Sequence, residues 1–406
     1  MALNAAVVLR SLDPGGGGPV VSVPRLWRDV AESGANVTLL LDDTEENRDR
    51  ASRLAPLRAA FLRPVGFKKA DRWQGVVAAL AASLGSSNAP DTEHRLVSFH
   101  GLWELNDALV ARECGRLGVP YVVHPHGALE HWALRHHGGR KWIAAQLWAA
   151  RFARDARMFR ATSQAESDAV RAWGYRGPIA LVPNAVDIPA PPPAGEVEQL
   201  RTRLGLGTTE RFVLFISRLH PIKGLDLLLD AWAGAGEVSS GWRLVIAGPV
   251  SKECPTYFEE LVRGRKVTEA LVLPGALWGR DRDVAMAAAD VVLLPSRSEN
   301  FGMVVAESLA AGTPVITTEA APWGRLVEKK AGWCVPATAE GLGAALREAV
   351  SRPRGGLREM GARGRNWMME EFSWCVAGRA FRDALDFMVG VADRPACVAL
   401  DCETAE

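Results

Sequence analysis

The sequence predicts an α/β protein made of two doubly wound parallel-sheet domains in series. Three observations carry this reading. Short apolar strands alternate with helical segments, a proline cluster at Ile188–Gly195 interrupts them, and the alternation then starts again. Strands covered by helices on both faces read as unbroken apolar runs. A chain of 406 residues also suits two domains of roughly 150–200 residues each.

The first alternation opens with strand Ala5–Leu9, the glycine run Gly15–Gly18 and helix Val20–Ser33. Strands Val37–Leu41, Leu96–Phe99 and Tyr121–Val123 follow, with helix Asn106–Gly118, ended by its glycine, between the last two. Trp73–Pro90 is uncharged but holds Gln74, Ser83, Ser86, Ser87 and Asn88. A membrane span needs about 20 mostly apolar residues, so this segment reads as a soluble helix. Next come the amphipathic helix Lys141–Arg157, strand Met158–Ala161 and a helix capped by Thr162 or Ser163. Pro189, Pro191, Pro192 and Pro193 stiffen the chain and mark the linker, which sets domains at 1–188 and 189–374 with a tail at 396–406. The second alternation contains strands Phe212–Ile216, Leu244–Ala247, Leu271–Leu273, Val291–Leu294, Pro314–Thr317 and Trp333–Val335. Its helices are Gly224–Trp232, Val284–Ala288 and Met303–Ala311, and from Glu340 onward only helices remain.

Composition narrows the function. Forty-eight basic residues against forty-seven acidic ones leave a formal charge of +1, which removes a chain-wide nucleic-acid binder. The six cysteines are scattered without a C-x-x-C pair, so neither a zinc site nor a disulfide framework is expected, and a reducing compartment is. The first residues carry no basic segment ahead of a long apolar run, so no secretory leader is read.

In doubly wound sheets, ligands sit beyond the carboxyl ends of the strands, where helix N-termini point. Four loops there carry chemistry. Pro295–Gly302 leads into a helix whose first amides, at Phe301, Gly302 and Met303, suit a diphosphate; Asn300 lies in the same turn. Glu299 precedes that helix and Glu307 lies more than one turn inside it, so the two carboxylates can hold opposite ends of one ligand. Arg218 and Lys223 flank Pro221 ahead of another helix. Cations are disfavoured at a helix N-terminus, and a polyanion resolves the conflict. Gly17 and Gly18 allow close backbone approach to phosphate. His126, before Gly127 at a strand end, can aim an imidazole at a ligand, and His100-Gly101 repeats that pattern.

Together these segments resemble the family 4 glycosyltransferases of the GT-B fold. The signature is Glu299 and Glu307 within Ser-Glu-Asn-Phe-Gly-Met-Val-Val-Ala-Glu-Ser; His100-Gly-Leu-Trp103, Pro125-His-Gly127 and Pro322-Trp323 are similar to bacterial enzymes of exopolysaccharide and lipopolysaccharide assembly. The resemblance implies two Rossmann-like domains facing an interdomain cleft, the first on the acceptor side and the second binding the nucleotide sugar. A helix at about 375–395 would pack back on the first. It further implies a UDP- or GDP-sugar donor, a glycan or lipid-linked acceptor, retention at the anomeric carbon and no cofactor. Glu307 would hold ribose hydroxyls, Glu299 donor-sugar hydroxyls, and Arg218 and Lys223 the diphosphate. His126 would sit beside the transferred sugar, and Pro274-Gly275 would border the base. Two departures stand out: Ala185 replaces the usual glycine in Pro183-Asn184-Ala185, and Ser217 opens the loop where glycine is common.

Asp281-Arg-Asp283 looks like a metal-binding D-x-D, but charge complementing a following helix is the simpler reading, so no metal is expected. Rival functions on the same fold are a nucleotide-sugar epimerase, a phosphorylase (for which no pyridoxal-phosphate lysine motif is evident) and a silent scaffold. A cytoplasmic protein is expected, with peripheral membrane contact open. Cations at Arg53, Arg58, Arg63, Lys68, Lys69 and Arg72 interleave with apolar residues, and Trp142, Leu147, Trp148, Arg151 and Arg154 line one helix.

Overall fold

The computed structural model describes residues 2–13, 18–62, 80, 84, 93–130, 133–134, 138–236, 241–251, 254–263 and 270–401. The chain divides into two units, Met1–Ala185 with Trp374–Glu406, and Val186–Ser373.

The first unit runs β1 (Ala2–Arg10), α1 (Gly18–Glu32), β2 (Asn36–Asp42), α2 (Glu45–Ala51), β3 (Arg58–Leu62), β4 (Glu93–His100), α3 (Leu105–Arg116) and β5 (Tyr121–His124). It continues with α4 (Gly138–Ala144), a π-helical segment (Ala145–Ala149), α5 (Ala150–Arg154), β6 (Met158–Ala161), α6 (Gln164–Ala172) and β7 (Ile179–Leu181). The second unit holds α7 (Ala194–Arg203), β8 (Arg211–Ile216), α8 (Leu225–Ala235), β9 (Trp242–Ala247), α9 (Tyr257–Val262), β10 (Leu271–Gly275) and α10 (Gly279–Ala288). After them come β11 (Val291–Leu294), α11 (Met303–Ala310), β12 (Val315–Thr318), α12 (Arg325–Glu328), β13 (Gly332–Val335), α13 (Ala339–Ser351) and α14 (Arg354–Glu371). The chain then returns to the first unit with α15 (Trp374–Met388) and β14 (Val398–Ala399).

Among the described residues the strand orders are β14-β7-β6-β5-β4-β1-β2-β3 and β10-β9-β8-β11-β12-β13. Every pairing is parallel except β14 on β7. The strands are apolar because both faces are covered: Val291–Leu294 of β11 is buried throughout, as is Phe212–Ile216 of β8. In the second unit the chain moves outward from β8 to β9 and β10, then re-enters beside β8 at β11. That reversal opens a crevice at the carboxyl ends of β8 and β11, the place where doubly wound sheets hold ligands.

Helix α15 is amphipathic and packs on α1. Phe381 meets Trp27 edge-to-face at 5.2 Å, and Gly378 lies so close to Asp29 that a Cβ there would stand 2.6 Å from the Asp29 Cβ. The C-terminal segment therefore completes the first core, to which Trp374, Phe381, Leu385 and Val398 belong.

Several sequence expectations need correction. The division falls at Ala185/Val186, ahead of the proline cluster, and α7 begins at Ala194 inside the predicted linker, because proline fits a helix start where its missing N–H is not needed. The tail expected at 396–406 contributes β14, and Leu181 donates its N–H to the Cys397 carbonyl at 2.7 Å. Residues 58–62, read as part of a cationic patch, form β3, and β7 was not expected at all. The helix predicted at Lys141–Arg157 contains the π segment. Ala185 raises no backbone difficulty, since the non-glycine residues with positive φ among those described are Arg10, His126 and Lys330. The Trp73–Pro90 helix lies, but for Leu80 and Leu84, outside the described residues. So do Gly17, Arg63, Lys68, Lys69, Arg72 and Cys402.

Candidate functional site

The second unit gathers its charged residues on the loops after β8 and β11. After β8, Pro221–Lys223 forms a single 3₁₀ turn whose N-cap His220 accepts the Ile222 N–H through Nδ1 at 3.1 Å. Gly224 ends it at φ +67°, and a Cβ there would stand 2.0 Å from the Pro295 carbonyl oxygen. The two loops thus touch backbone to backbone, tied further by the Arg297 N–H donating to the Ile222 carbonyl at 2.8 Å. This contact brings Lys223 Nζ to 2.5 Å from Glu299 Oε1, with side chains only 14% and 11% exposed. Ser296 Oγ donates to the same carboxylate oxygen at 2.7 Å. Arg218 lies exposed on the β8 loop.

Gly302, at φ +77°, caps α11 without any side-chain hydrogen bond, so the first N–H groups of the helix face the loop. Phe301 is buried against Trp323, whose Nε1 donates to the Phe301 carbonyl at 2.5 Å, and this anchors the loop ahead of Met303. Asn300 is half-buried in the same turn. Glu307, one turn into α11, pairs with Arg282 of α10. Burial pushes the Glu307 carboxyl up and Arg282 opposes that shift. Pro274 and Gly275 end β10, two strands out from β8.

Sequence reasoning missed Arg282 as the partner of Glu307, and Arg297, which forks onto both carboxylate oxygens of Asp226 at 2.7 and 2.6 Å. Asp281 and Asp283 do not precede a helix. Both lie inside α10, and Asp281 pairs with Arg203 at 2.6 Å.

The first unit places His100, His124 and His126 together at the carboxyl ends of β4 and β5. His126 sits at φ +51°, a left-handed conformation that non-glycine residues avoid and that clusters at functional sites. Two bonds hold it there. His100 Nδ1 lies 2.9 Å from His126 Nε2, and the adjoining Gly127 N–H donates to Glu166 Oε1 at 2.7 Å. Glu166 also accepts from the N–H and the hydroxyl of Thr162, at 2.7 and 2.8 Å. Ser98 Oγ lies 3.2 Å from His100 Nε2. With that hydroxyl as donor, His100 gives its Nδ1–H to His126, which then carries its own proton on Nδ1. Gly18 is exposed at the start of α1.

The imidazole nitrogens of the three histidines approach within 4.8 Å of one another. The rings stack within 19–28° of parallel. His100 Nδ1 and His126 Nε2 already face each other across a hydrogen bond, so these two nitrogens hold a shared proton and do not converge on a common point. Burial pushes all three imidazoles down, His126 to about 3, and the nearby Arg160 guanidinium adds to this. The stack is therefore neutral when folded, whereas unfolded histidine titrates near pH ~6.5. Below that value the unfolded chain takes up protons that the folded chain refuses, so stability is full above it and falls with acid. His124 is 1% exposed, and neither ring nitrogen has a hydrogen-bond partner among the described residues. Replacing it by Phe should flatten the fall by about 1.4 kcal/mol per pH unit below pH ~6.5. Urea midpoints across that range check this, and an unchanged slope in His124→Phe would refute it.

The family model for glycosyl transferases group 1 matches residues 196–367, and that for the glycosyl transferase 4-like domain matches residues 17–185. Among curated proteins, the chain is similar to D-inositol 3-phosphate glycosyltransferase of Segniliparus rotundus, 35% identical over 147 residues that cover 35% of this chain and 32% of that protein. It is also similar to the protein of that name from Rhodococcus jostii, 32% identical over 276 residues covering 64% of this chain and 59% of that protein. The chain thus spans from about a third to three fifths of the length of these curated relatives. Among solved structures, HepE of Anabaena in complex with UDP and glucose matches with a TM-score of 0.76 at 19% identity, over 95% of this chain and 100% of that one, a likeness of fold.

Proposed function

Since this chain belongs to the group 1 glycosyltransferases, we propose that it moves a sugar from a nucleoside diphosphate sugar, with UDP or GDP as carrier, to an acceptor hydroxyl with retention at the anomeric carbon. The observation that carries this reading is the site at the carboxyl ends of β8 and β11. There one ammonium is already held against Glu299, beside a helix whose N-cap glycine has no side chain to accept its first amides.

In this reading the diphosphate binds Lys223, Arg218 and the amides from Phe301 to Met303. Glu299 is then free for donor-sugar hydroxyls, Glu307 takes the ribose hydroxyls, Asn300 supports the turn, and Pro274-Gly275 borders the base. His126 serves the transferred sugar, and Gly18 approaches phosphate or acceptor. The acceptor oxygen attacks the anomeric carbon on the face from which the diphosphate departs. The C–O bond to phosphate breaks, and the acceptor proton passes to the leaving phosphate oxygen. The protein's part is electrostatic, stabilising charge where it grows on the leaving group.

The reading places the protein in the cytoplasm, peripheral to the membrane, in assembly of a surface glycan or lipid-linked acceptor. A second reading, a small phosphorylated polyol as acceptor, is favoured by the activity for which the D-inositol 3-phosphate glycosyltransferases are named. Thermal stabilisation by a panel of UDP- and GDP-sugars, followed by NMR of the product anomer, tests the donor and the stereochemistry together. An inverted product overturns retention, an epimerised donor without acceptor points to an epimerase, and a panel without effect points to a scaffold. With Lys223 and Arg218 supplying the positive charge and Asp281 engaged with Arg203, activity should survive EDTA. Loss on chelation with rescue by Mn²⁺ would overturn metal independence.

A further inference from the structure

A groove of about 940 Å³ lies in the first unit, at the opposite end of the sheet from His126. It borders the starts of β5, β6 and β7, at Tyr121, Arg157 and Pro178, whereas the histidine stack crowns the other ends of β4 and β5. Its walls are α3 and the π segment with α5, and Leu109, Leu147, Trp148 and Phe152 line it.

The π segment contributes to the exposed apolar face beside this groove. Its i→i+5 bonds let Ala144 and Ala149, five residues apart, both face the core. Leu147 within the segment is left outside at 71% exposure, and Trp142 and Ile143 of α4, just ahead of it, are 66% and 50% exposed. Between Gly138 and Arg157 stand five cations and one acid, Asp155. Lys141 is turned inward onto the Ala133 carbonyl, and Asp155 pairs with Arg151 and Arg154. Arg112 on α3, Arg140 and Arg157 have no acidic partner among the described residues, and each is exposed. An apolar face with tryptophan, flanked by unneutralised arginines, matches the boundary between acyl chains and anionic headgroups.

We infer that the outer face from Arg140 to Arg157, with the groove it shares with α3, docks on an anionic phospholipid bilayer, Trp142, Ile143 and Leu147 entering the acyl boundary and Arg112, Arg140 and Arg157 meeting the headgroups. This deepens the peripheral-membrane part of the function proposed above and rests on it only for its purpose. The cationic stretch at residues 53–62 is a different matter: Arg53 pairs with Asp49, and Leu57 and Phe61 pack into the core.

The test is co-sedimentation of the full chain with phosphatidylcholine vesicles, with and without phosphatidylglycerol, at low and high salt. The wild type should pellet only with phosphatidylglycerol and be released by salt. Arg112→Glu with Arg157→Glu should lower partitioning at least roughly 30-fold, from about fivefold per lost cation. Trp142→Ser with Leu147→Ser should abolish pelleting while thermal midpoint and stabilisation by UDP or GDP stay at wild-type values. Failure of the wild type to pellet, equal pelleting of the variants, or a change in oligomeric mass in Trp142→Ser with Leu147→Ser overturns the surface. If neither nucleotide stabilises the wild type, the donor reading fails, and the vesicle result stands separately.

Discussion

Lys223→Ala should lower turnover roughly 100- to 1,000-fold at saturating donor, the usual loss on removing one group that stabilises charge at a transition state. The structure adds a second consequence. Lys223 neutralises Glu299, and both side chains are largely withdrawn from water. Among the described residues, removing only the ammonium leaves the carboxylate with Ser296 as its side-chain partner, and breaking a buried pair in this way costs about 3–5 kcal/mol. Activity and stability should therefore fall together. Lys223→Met with Glu299→Gln separates them, because a neutral pair needs no counter-charge. The double variant should recover most of the stability and none of the turnover. The measurements are kcat at saturating donor and urea unfolding of both variants, and near-normal kcat in Lys223→Ala would sink the assignment.

Gly224→Ala is the second large effect. An L-residue in the left-handed region costs roughly 1–2 kcal/mol, and overpacking adds about 1–3 kcal/mol. Here the added methyl meets the Pro295 carbonyl oxygen at 2.0 Å, backbone that cannot swing aside like a side chain. The loops after β8 and β11 must part, which moves Lys223 off Glu299. The expected result is a loss of about 2–5 kcal/mol together with weakened nucleotide binding. Gly355→Ala is the control. Gly355 is exposed in α14 with nothing within 4 Å of a Cβ, and the same change there should be neutral or stabilising by up to about 1 kcal/mol. Urea midpoints and calorimetric titration with UDP or GDP distinguish the two, and matching behaviour would remove the argument from loop contact.

Much of this was readable from residue order because it depends on local chemistry. The strands of the second unit are unbroken apolar runs closed by glycine, proline or polar turns, and helix Met303–Ala310 follows a glycine that must take positive φ. Glu166 was within reach as well: Ser163 and Glu166 have the spacing of a capping box, and Ser163 Oγ does accept the Glu166 N–H. That the Glu166 carboxylate goes on to clamp Gly127, 39 residues earlier, follows only from β5 and β6 being neighbours. β3 was lost among cations because an edge strand carries charge that a central one cannot. The π segment left no signal, since a five-residue spacing of alanines resembles ordinary helical noise.

Local residue chemistry alone determined the alternation of strands and helices, the two-domain plan and which loops bear charge, because periodicity, turn chemistry and charge are properties of neighbours along the chain. Tertiary structure alone decided which charges meet. Lys223 reaches Glu299 across 76 positions, Arg282 reaches Glu307 across 25, and His100 reaches His126 across 26. Each of these pairs depends on strand order, and strand order is settled by burying all the apolar runs at once.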